Sequence, residues 1–463
     1  MDIKEFIAAP QAAMASLGLS AEDDKGRRLL ELADQSTTLK CRLKEIKKDK
    51  ADIARQFKTV LAQERDQLIA RMQVVSAEVK HLEEQLKQIE KSLAELIVQP
   101  AAPVEAVPPF VKVPEKNHYA GDYTIHELQP EDIPRWNTFV AARAASAYHQ
   151  VVWPEIIKNS FGHPTRIWVA EDTDGNILAG VPLTFFSSRL FGRFAVSIPY
   201  FNYGGVISDW VNVARDLIAS LHHVCVNEGL SHIEVRTMQA ELGDHASDKK
   251  VSMVLTLPPT EAELDEQLGA KVRAQYKKAQ EYNPQVSFGK LELLDDFYQV
   301  FAQNMRDLGT PVYSREWFAN ILSATDVNSQ LIVVYVSGRP VSTGFVIGHG
   351  EMLEIPWAST IRQANAMNTN MWMYRQILGY AIREGYRFFD FGRSTRGAGT
   401  YHFKKQWGAK PYPHYWYYVF PAGGSVPELN PDNPKYKLMI SIWKRIPVWI
   451  TKLIGPPIVA NLP

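Results

Sequence analysis

Apolar side chains between residues 24 and 98 recur at alternating spacings of three and four positions, in a charged stretch with almost no Gly or Pro. Two runs of this pattern, 29–60 and 68–96, place apolar side chains on one stripe of a helix. A stripe of this period that persists over many heptads is the a/d seam of a coiled coil. Ser36 and Lys50 interrupt the seam with polar side chains of the kind that set helix register. Residues 24–98 are therefore predicted to form a long coiled coil.

The two apolar runs are out of step by one residue between Val60 and Leu68, and two structures fit this slip. One is a continuous helix with a skip that pairs with another chain, which would make the protein a homo-oligomer. The other is a helical hairpin that turns near residues 63–67. Because no Gly, Pro or Asn marks a turn there, the sequence favours the continuous helix.

Changes in amino-acid composition divide the rest of the chain into predicted segments. A stretch rich in Pro, Ala and Val is predicted to be an extended, semi-rigid linker. The final segment mixes Ile and Trp with Lys and Pro, and fits either a helix at a membrane interface or a tail that docks back on the lobes. The predicted segments are an N-terminal helical segment 1–23, a coiled coil 24–98, a linker 99–118, a first lobe 119–258, a second lobe 259–422 and a tail 423–463.

The globular region contains an internal repeat. In each copy an aromatic-bearing helix precedes a strand, a turn and a second strand, and a later helix ends in Gly before another apolar strand. Trp153 and Gly180 of the first copy correspond to Trp317 and Gly344 of the second at the same separation in sequence. This order predicts an α/β (α+β) fold of two tandem lobes, each around a mixed sheet.

Charge and cysteine content restrict the function classes. The 463 residues carry 51 Lys and Arg against 51 Asp and Glu, so no global basic field recruits nucleic acid, and any such contact needs a local patch. Cys41 and Cys225 lack CxxC partners, which argues against a disulfide framework and a metal site. The N-terminus carries acids and no long apolar stretch, and no window reaches the ~18 apolar residues of a spanning helix. We therefore expect a cytoplasmic protein.

The densest group of chemically competent residues lies between 389 and 408. An apolar strand ends at Asp390, a loop rich in Gly and hydroxyl residues follows, and a basic-aromatic segment closes it. Ligands of open α/β sheets bind where strand ends meet loops, and Gly lets backbone N–H groups approach an anion. Arg393 and Lys404 supply positive charge for a phosphate or carboxylate. The alternative is a structural corner in which Asp390 caps a turn and Trp407 fills a core.

Other segments carry further candidates. The basic, helical run 271–280 fits contact with a polyanion such as tRNA, or a solvated helix face. A polar loop at 304–314 breaks a helix, and the aromatic and Gly residues at 199–205 fit a pocket wall or a packed strand end. The strand 353–358 leads to a helix N-terminus, which is a natural anion site. His402 is a candidate general base, and a packed or solvated histidine fits that position as well.

Two long motifs in the second lobe resemble those of the FemAB family, most closely the FemAB-related proteins of PEP-CTERM/exosortase exopolysaccharide systems. One is Asp-Phe-Gly-Arg-Ser at 390–394 followed by Gly-Thr-Tyr-x-Phe-Lys-x-x-Trp-Gly at 399–408. The other is Arg-Asp-Leu-Gly-Thr-Pro-Val-Tyr-Ser at 306–314. The resemblance covers about residues 123–418. It implies tandem GNAT-like lobes, related to BioF2-like acyltransferases, that transfer an acyl or aminoacyl group to an amine-like acceptor in envelope, peptidoglycan or exopolysaccharide biosynthesis.

The chain departs from the family pattern in two places. Family members with a helical arm insert it within the second lobe, whereas here the coiled coil precedes both lobes, which weakens the inference that residues 24–98 bind tRNA. GNAT acetyltransferases hold the coenzyme A pyrophosphate in a loop with small residues at defined positions. Here that loop spans 362–367 and has Asn365 and Met367 at those positions, which argues against ordinary acetyl-CoA binding in the second lobe.

The resemblance implies an acyltransferase whose catalytic residues are Asp390, Arg393, Lys404 and His402. Asp390 would orient or deprotonate the nucleophile, and the two basic side chains would bind a donor phosphate or acceptor carboxylate. We expect no tightly bound cofactor and no metal. The donor is expected to be an acyl-CoA or an aminoacyl-tRNA, and the acceptor an envelope precursor. The expected substrate-binding residues are Tyr203, Arg273, Tyr276, Arg306, Tyr313, Trp357, Ser394, Gly399, Thr400, Tyr401, Lys405 and Trp407.

A non-catalytic assembly protein of envelope polysaccharide synthesis is the alternative function. In that case the coiled coil would form oligomers and the lobes would be a degenerate binding module. With either function, the tail could give peripheral contact with the inner face of the membrane. The intact segment 390–408 favours the enzyme.

Overall fold

The computed structural model describes residues 6–7, 9–11, 14, 24–56, 64–98, 108, 116–143, 146–188, 191–238, 242–243, 246–247, 250–424 and 434–462. The chain divides into two compact units, Met1–Ala106 and Val107–Pro463. Most of the predicted linker 99–118 and most of the predicted helical segment 1–23 lie outside the described residues.

The first unit is a pair of antiparallel helices, α1 (Asp24–Gln56) and α2 (Arg65–Val98). The ion pairs Lys40–Glu90 (2.9 Å) and Lys47–Glu83 (2.7 Å) show the direction, since the residue number falls on one helix as it rises on the other. The sequence preference for a continuous helix is therefore wrong, and the hairpin alternative is right. A short connection costs little closure entropy, so the two stripes cover each other within one chain without a marked turn.

The second unit contains two mixed sheets built from fifteen strands among the described residues. The strands are β1 (Tyr123–Glu127), β2 (Thr165–Asp172), β3 (Ile177–Ser188), β4 (Gly192–Val196), β5 (Ile207–Ser208), β6 (Ile233–Thr237), β7 (Ala246–Ser247), β8 (Lys250–Thr256), β9 (Gln285–Gly289), β10 (Asn328–Val336), β11 (Arg339–His349), β12 (Met352–Thr360), β13 (Phe388–Thr395), β14 (Lys410–Pro413) and β15 (Tyr415–Val419).

The helices of the second unit pack around these sheets. They are α3 (Ile133–Ala141), α4 (Val152–Phe161), α5 (Val211–Asn227), α6 (Glu261–Gln267), α7 (Ala270–Ala279), α8 (Leu294–Leu308), α9 (Arg315–Ser323), α10 (Thr369–Arg383), α11 (Gly399–Lys405), α12 (Pro434–Trp443) and α13 (Val448–Val459). No helix among the described residues is long and apolar enough to cross a membrane.

The repeat read from the sequence is present in the fold. The first sheet has the order β1-β2-β3-β4-β6-β15-β7 with β5 on β3, and the second β14-β8-β13-β12-β11-β10-β9. Each contains one parallel pair, β4 with β6 and β12 with β13, and the long helix between the paired strands is α5 or α10. All other pairs in these sheets are antiparallel. The predicted mixed α/β fold of tandem lobes behind an N-terminal helical region is confirmed.

The two lobes exchange strands. β8 lies in the part of the sequence assigned to the first lobe, yet it pairs with β13 and β14 of the second sheet. β15 comes from the second lobe and pairs with β6 and β7 of the first sheet. The helices α4 and α9 also meet between the lobes, where Trp153 and Trp317 are fully buried. The junction between the lobes is therefore a continuous part of one core.

Candidate functional site

Strands β12 and β13 diverge at a pair of acidic residues. Their parallel register contains only Met352 with Phe388, Leu353 with Phe389, and Glu354 with Asp390, although both strands continue further. Directly opposed side chains in a sheet lie on the same face. The two carboxyl groups therefore sit side by side where the second sheet opens.

The first lobe covers this carboxyl pair with hydrogen-bond donors. Tyr148 donates its hydroxyl to Glu354 Oε2 at 2.6 Å, and Asn202 donates Nδ2–H to Glu354 Oε1 at 3.4 Å. The Tyr203 hydroxyl lies 3.5 Å from an oxygen of both Glu354 and Asp390. Glu354 is 5% exposed and Asp390 is fully buried. The site is thus built by both lobes at their junction.

A second set of contacts surrounds Asp390. Gly392 follows with a positive φ of 77°, which aims its backbone N–H at Asp390 Oδ1 over 2.8 Å. Ser252 Oγ, on the exchanged strand β8, lies 3.0 Å from Asp390 Oδ2 and 3.1 Å from His414 Nε2. His414 Nδ1 lies 3.1 Å from the Asn202 carbonyl oxygen. A chain of hydrogen bonds therefore links the carboxyl pair back to the first lobe.

Burial makes this pair hold a proton near neutrality. Desolvation, followed by the charge of Asp390, raises the pKa of Glu354 to about 8. Desolvation raises the pKa of Asp390 to about 6. The hydrogen bond from the Gly392 N–H and the charge of Lys404 partly offset this rise. Two buried carboxylates this close do not both ionise readily, so the pair titrates as a unit and shares one proton.

The hydrogen bonds around His414 bear on where this proton lies. Burial lowers the pKa of His414 to about 3, so the ring is neutral and has one N–H. The Asn202 carbonyl accepts that N–H from Nδ1, which leaves Nε2 as an acceptor. The Ser252 hydroxyl donates to Asp390 Oδ2, so Asp390 needs no proton of its own for this contact.

The larger rise in the pKa of Glu354 places the shared proton on that residue near neutrality. The hydrogen bonds agree, because Asp390 accepts from the Gly392 N–H and from the Ser252 hydroxyl, and both bonds stabilise its ionised form. The pair is therefore best described as protonated Glu354 beside ionised Asp390.

Lys404 lies behind the loop that follows Asp390. Lys404 is on helix α11 and is only 8% exposed. Its Nζ donates to the carbonyls of Gly392 (2.8 Å) and Arg393 (3.0 Å). Burial lowers the pKa of Lys404 to about 8, opposed by the charges of Asp390 and Glu354. An ammonium group has three donors, so one N–H remains beyond these two bonds.

Arg393 provides a cation that is open to solvent. Its guanidinium lies 5.0 Å from the ring centre of Trp416, and that of Arg236 lies 4.6 Å from the same ring. Arg236 is paired with Glu234 at 2.5 Å, whereas no carboxylate among the described residues forms an ion pair with Arg393. Desolvation, then the charge of Arg236, lowers the pKa of Arg393 to about 10, although the side chain is solvent-exposed. An exposed guanidinium that forms no ion pair with a carboxylate among the described residues suits an anionic ligand.

Several predicted site residues meet at this place. Asp390, Arg393, Lys404 and Tyr203 surround the diverging strands, as described above. Ser394 is buried, with a hydroxyl that has no partner among the described residues. The charge of Arg393 acts on Tyr313, whose ring packs edge-on against Trp357 at 5.9 Å. These two aromatic residues belong to the wall of interlocking rings between the lobes.

The structure gives three predicted substrate-binding residues a structural role instead. Arg273 donates to the carbonyls of Asp265 and Leu268, and the Tyr276 hydroxyl donates to Asp265 at 2.8 Å. Both side chains thus close the corner between α6 and α7 and do not present a basic face to a polyanion. Trp407 is 1% exposed and packs within the core of the second lobe.

The remaining predicted residues lie apart from the carboxyl pair in their contacts. Arg306 is half-buried and paired with Asp307 at 2.8 Å. His402 is exposed, and its ring packs against Tyr401 at 5.5 Å. The exposed or half-buried surface of α11 carries the others, Gly399, Thr400, Tyr401 and Lys405.

Sequence reasoning missed five residues that shape the site: Tyr148, Arg236, Ser252, Glu354 and His414. An available signal for Glu354 was an acid in the middle of an apolar strand, Leu353-Glu354-Ile355. Such a group needs partners in a buried strand. The other four come from distant segments, and nothing local connects them to Asp390.

Comparison with known proteins finds solved structures of low sequence identity and one matching family. Solved structures with an overall likeness include FemX (13% identity, TM-score 0.48, 68% of this chain and all of that chain). Others are L-PGS from Bacillus licheniformis (13%, 0.43, 73% and 99%) and a tandem GNAT protein from the clavulanic acid biosynthesis pathway (11%, 0.43, 66% and 100%). No curated protein matches the chain.

A family match bears directly on the site. The family described as an acetyltransferase (GNAT) domain matches residues 268–405, which include Glu354, Asp390, Arg393 and Lys404. This part of the second lobe is therefore similar to the acetyltransferase (GNAT) domain, in agreement with the GNAT-like lobes expected from the sequence motifs.

Proposed function

We propose that the protein transfers an acyl or aminoacyl group to an amine-like acceptor at the junction of its two lobes. One observation carries this proposal: a buried carboxyl pair with a single proton lies where β12 and β13 diverge, beside an arginine that is exposed and has no carboxylate partner among the described residues. The match of residues 268–405 to the acetyltransferase (GNAT) domain supports acyl transfer as the reaction class.

The carboxyl pair suits proton transfer during attack by an amine. An ammonium nucleophile must lose a proton before it attacks a carbonyl carbon, and a base tuned toward neutrality accelerates this step about 10²–10⁴-fold. Asp390 is the ionised member of the pair, and because it has no exposed surface it acts through a neighbour. The Tyr203 hydroxyl, near oxygens of both carboxyls, is placed to relay the proton.

Cations next to this pair suit the developing negative charge. Arg393 would hold a phosphate or carboxylate of the substrate. The remaining N–H of Lys404 would stabilise the oxyanion formed as the acyl carbonyl is attacked. A preorganised donor of this kind contributes about 10²–10³-fold to the rate.

The donor is proposed to be an aminoacyl-tRNA or an acyl-CoA held away from the usual pyrophosphate loop. Residues Arg362–Met367 form a 3-10 helix in which backbone N–H groups already bond within the turn, such as Ala364 to Ile361 (2.9 Å) and Asn368 to Asn365 (3.2 Å). Arg362 is also engaged, since it donates to the Asp307 carbonyl at 2.8 Å. These bonds leave fewer donors for a pyrophosphate there, and favour the aminoacyl donor. An envelope precursor bearing an amine is the proposed acceptor.

The test is a transfer assay with the purified protein, an amino-sugar or peptide amine, and either acyl-CoA or aminoacyl-tRNA. Product is measured by mass spectrometry. We expect transfer from one donor class, and a loss of about 10²-fold or more in kcat/KM for Arg393→Gln. Arg396→Gln is the matched control, because Arg396 is exposed nearby and should leave the rate unchanged.

Equal rates for the two arginine variants would remove Arg393 from the site. If neither donor is used but a donor is bound in an Arg393-dependent manner, the binding-module alternative would be the better account.

A further inference from the structure

The C-terminal helix α13 buries its small side chains and exposes its large ones. Thr451, Gly455 and Val459, spaced four residues apart, face the lobes and are buried. A Cβ on Gly455 would come within 2.9 Å of the Val312 backbone nitrogen, so this face is in close contact with the loop after α8. A water-exposed helix normally has the opposite arrangement, with large apolar residues inward.

The outward face of the tail is apolar. Of the thirteen large apolar side chains that are exposed among the described residues, six lie within the two helices of the tail, α12 and α13. They are Met439 (64%), Ile442 (52%), Trp449 (64%), Leu453 (66%), Ile454 (40%) and Ile458 (39%). Exposed apolar residues concentrated in this way mark a surface that a partner covers.

The charge of the same segment identifies the partner. Between residues 434 and 463 the sequence contains no Asp or Glu, although the whole chain has 51 acids. The segment carries the cations Lys435, Lys437, Lys444, Arg445 and Lys452. Lys444 and Arg445 are exposed next to the apolar residues. A face that is apolar and purely cationic complements an anionic lipid surface.

A second copy of the same chain fits this face less well. Two such tails would bring like charges together without a single acid between them, which disfavours an isologous contact. The length of α13 also suits a helix lying in the plane of the interface, because twelve residues extend about 18 Å against a hydrocarbon core of about 30 Å.

The tail is fixed to both lobes near the candidate site. The Ala460 carbonyl accepts hydrogen bonds from the Tyr200 hydroxyl (3.1 Å) and from His163 Nε2 (2.6 Å) of the first lobe. Tyr200 packs edge-on against Tyr313 of the second lobe at 6.0 Å. A surface bound by the tail would therefore hold the lobe junction in a defined orientation.

We propose that α12 and α13 form an interfacial surface that docks the protein on a bilayer containing anionic lipids. This binding does not depend on the proposed transfer reaction. It is tested by flotation of the full chain with vesicles of phosphatidylcholine alone or with added phosphatidylglycerol, at low and high salt. We expect binding to the phosphatidylglycerol vesicles that weakens as salt rises.

Two variants separate the apolar and charged contributions. Trp449→Gln with Leu453→Gln should weaken vesicle binding at least about tenfold, because two large apolar side chains no longer enter the interface. Lys444→Gln with Arg445→Gln should weaken it about fivefold per charge and flatten its salt dependence. The control is Val226→Gln with Leu291→Gln, which replaces two exposed apolar residues (50% and 48%) elsewhere and should bind as the wild type does.

Wild-type binding that is no stronger than that of the Trp449/Leu453 variant would overturn the proposal. So would sedimentation velocity showing that this variant loses a self-association of the wild type while neither protein binds vesicles. That result would assign the face to a contact between copies of the chain.

Discussion

At the scale of single residues, the most consequential feature is a carboxylate placed where water cannot reach it. Glu354 would lose its solvation in a buried strand, and it is tolerated because Tyr148, Asn202 and Tyr203 offer donors across the lobe junction. Its neighbour Asp390 keeps a shared proton in the site. The same chemistry that suits proton transfer therefore makes the stability of the protein sensitive to pH.

Replacing Glu354 with Gln should remove part of this sensitivity. The pKa of Glu354 is raised in the fold to about 8, so its contribution to the free energy of unfolding is fully present below its ordinary pKa of 4.5 and is lost as pH rises through 8. Relative to the wild type, Glu354→Gln should gain stability on the order of 1 kcal/mol per pH unit across that window. Urea unfolding at pH 5, 6.5 and 8 measures this difference.

The control for Glu354→Gln replaces a glutamate that is not buried. Glu316→Gln changes an exposed residue at the start of α9 and should follow the wild-type pH profile. A pH-independent difference between Glu354→Gln and the wild type would show that Glu354 is ionised in the fold across this range and that the raised pKa is wrong.

At the scale of elements, close approach of backbone to side chain decides where the helices lie. In β3, Gly180 has no side chain because the Trp136 ring of α3 occupies the space that a Cβ would need. The ring cannot easily move away, since its Nε1–H donates to the His149 carbonyl at 3.0 Å and the side chain is fully buried. The Gly that marks the repeat in the sequence is thus a packing requirement in the first lobe.

Gly180→Ala should destabilise the protein by about 1–3 kcal/mol, because the added methyl group overfills a rigid contact. Gly399→Ala is the matched control: a Cβ there meets nothing within 4 Å, and Ala suits the first turn of α11 better than Gly. Chemical denaturation of both variants measures the effect. Equal midpoints would mean that the Trp136 contact is looser than the structure shows.

At the scale of the whole molecule, strand exchange joins the two lobes into one unfolding unit. β8 cannot leave the second sheet without pulling on the chain that follows β6, and β15 ties the end of the second lobe into the first sheet. The aromatic wall between the lobes adds a shared core. Neither lobe has a complete sheet without a strand from the other half of the sequence.

A chain that begins at Val107 should therefore unfold in one cooperative transition. Far-ultraviolet circular dichroism and tryptophan fluorescence should give coincident curves. In Gly180→Ala, hydrogen exchange in β10–β12 of the second lobe should accelerate together with exchange in the first lobe. Two separate transitions, or a change confined to the first lobe, would contradict this coupling.

The local pattern was sufficient for the elements and the repeat. The three-and-four spacing of apolar residues placed helices over 24–98, and the corresponding Trp and Gly positions predicted two similar lobes, because side-chain periodicity reflects the geometry of a single element. The density of Gly and cations around Arg393 also pointed to the loop that follows Asp390 of the carboxyl pair. The motifs that resemble the FemAB family then supplied acyl transfer as the expected reaction class, and the match of residues 268–405 to the acetyltransferase (GNAT) domain agrees with it.

The contacts between distant segments were settled by the tertiary structure alone. A heptad pattern is the same for a helix that pairs with itself and one that pairs with another chain, so Lys47 and Glu83 had to be seen together before the hairpin was evident. The partnership of Glu354 with Asp390 depends on the register of two strands separated by α10, and that of Ser252 with His414 depends on the strand exchange. Local side-chain order encodes which element forms, whereas register and partner are chosen by the packing of the complete core.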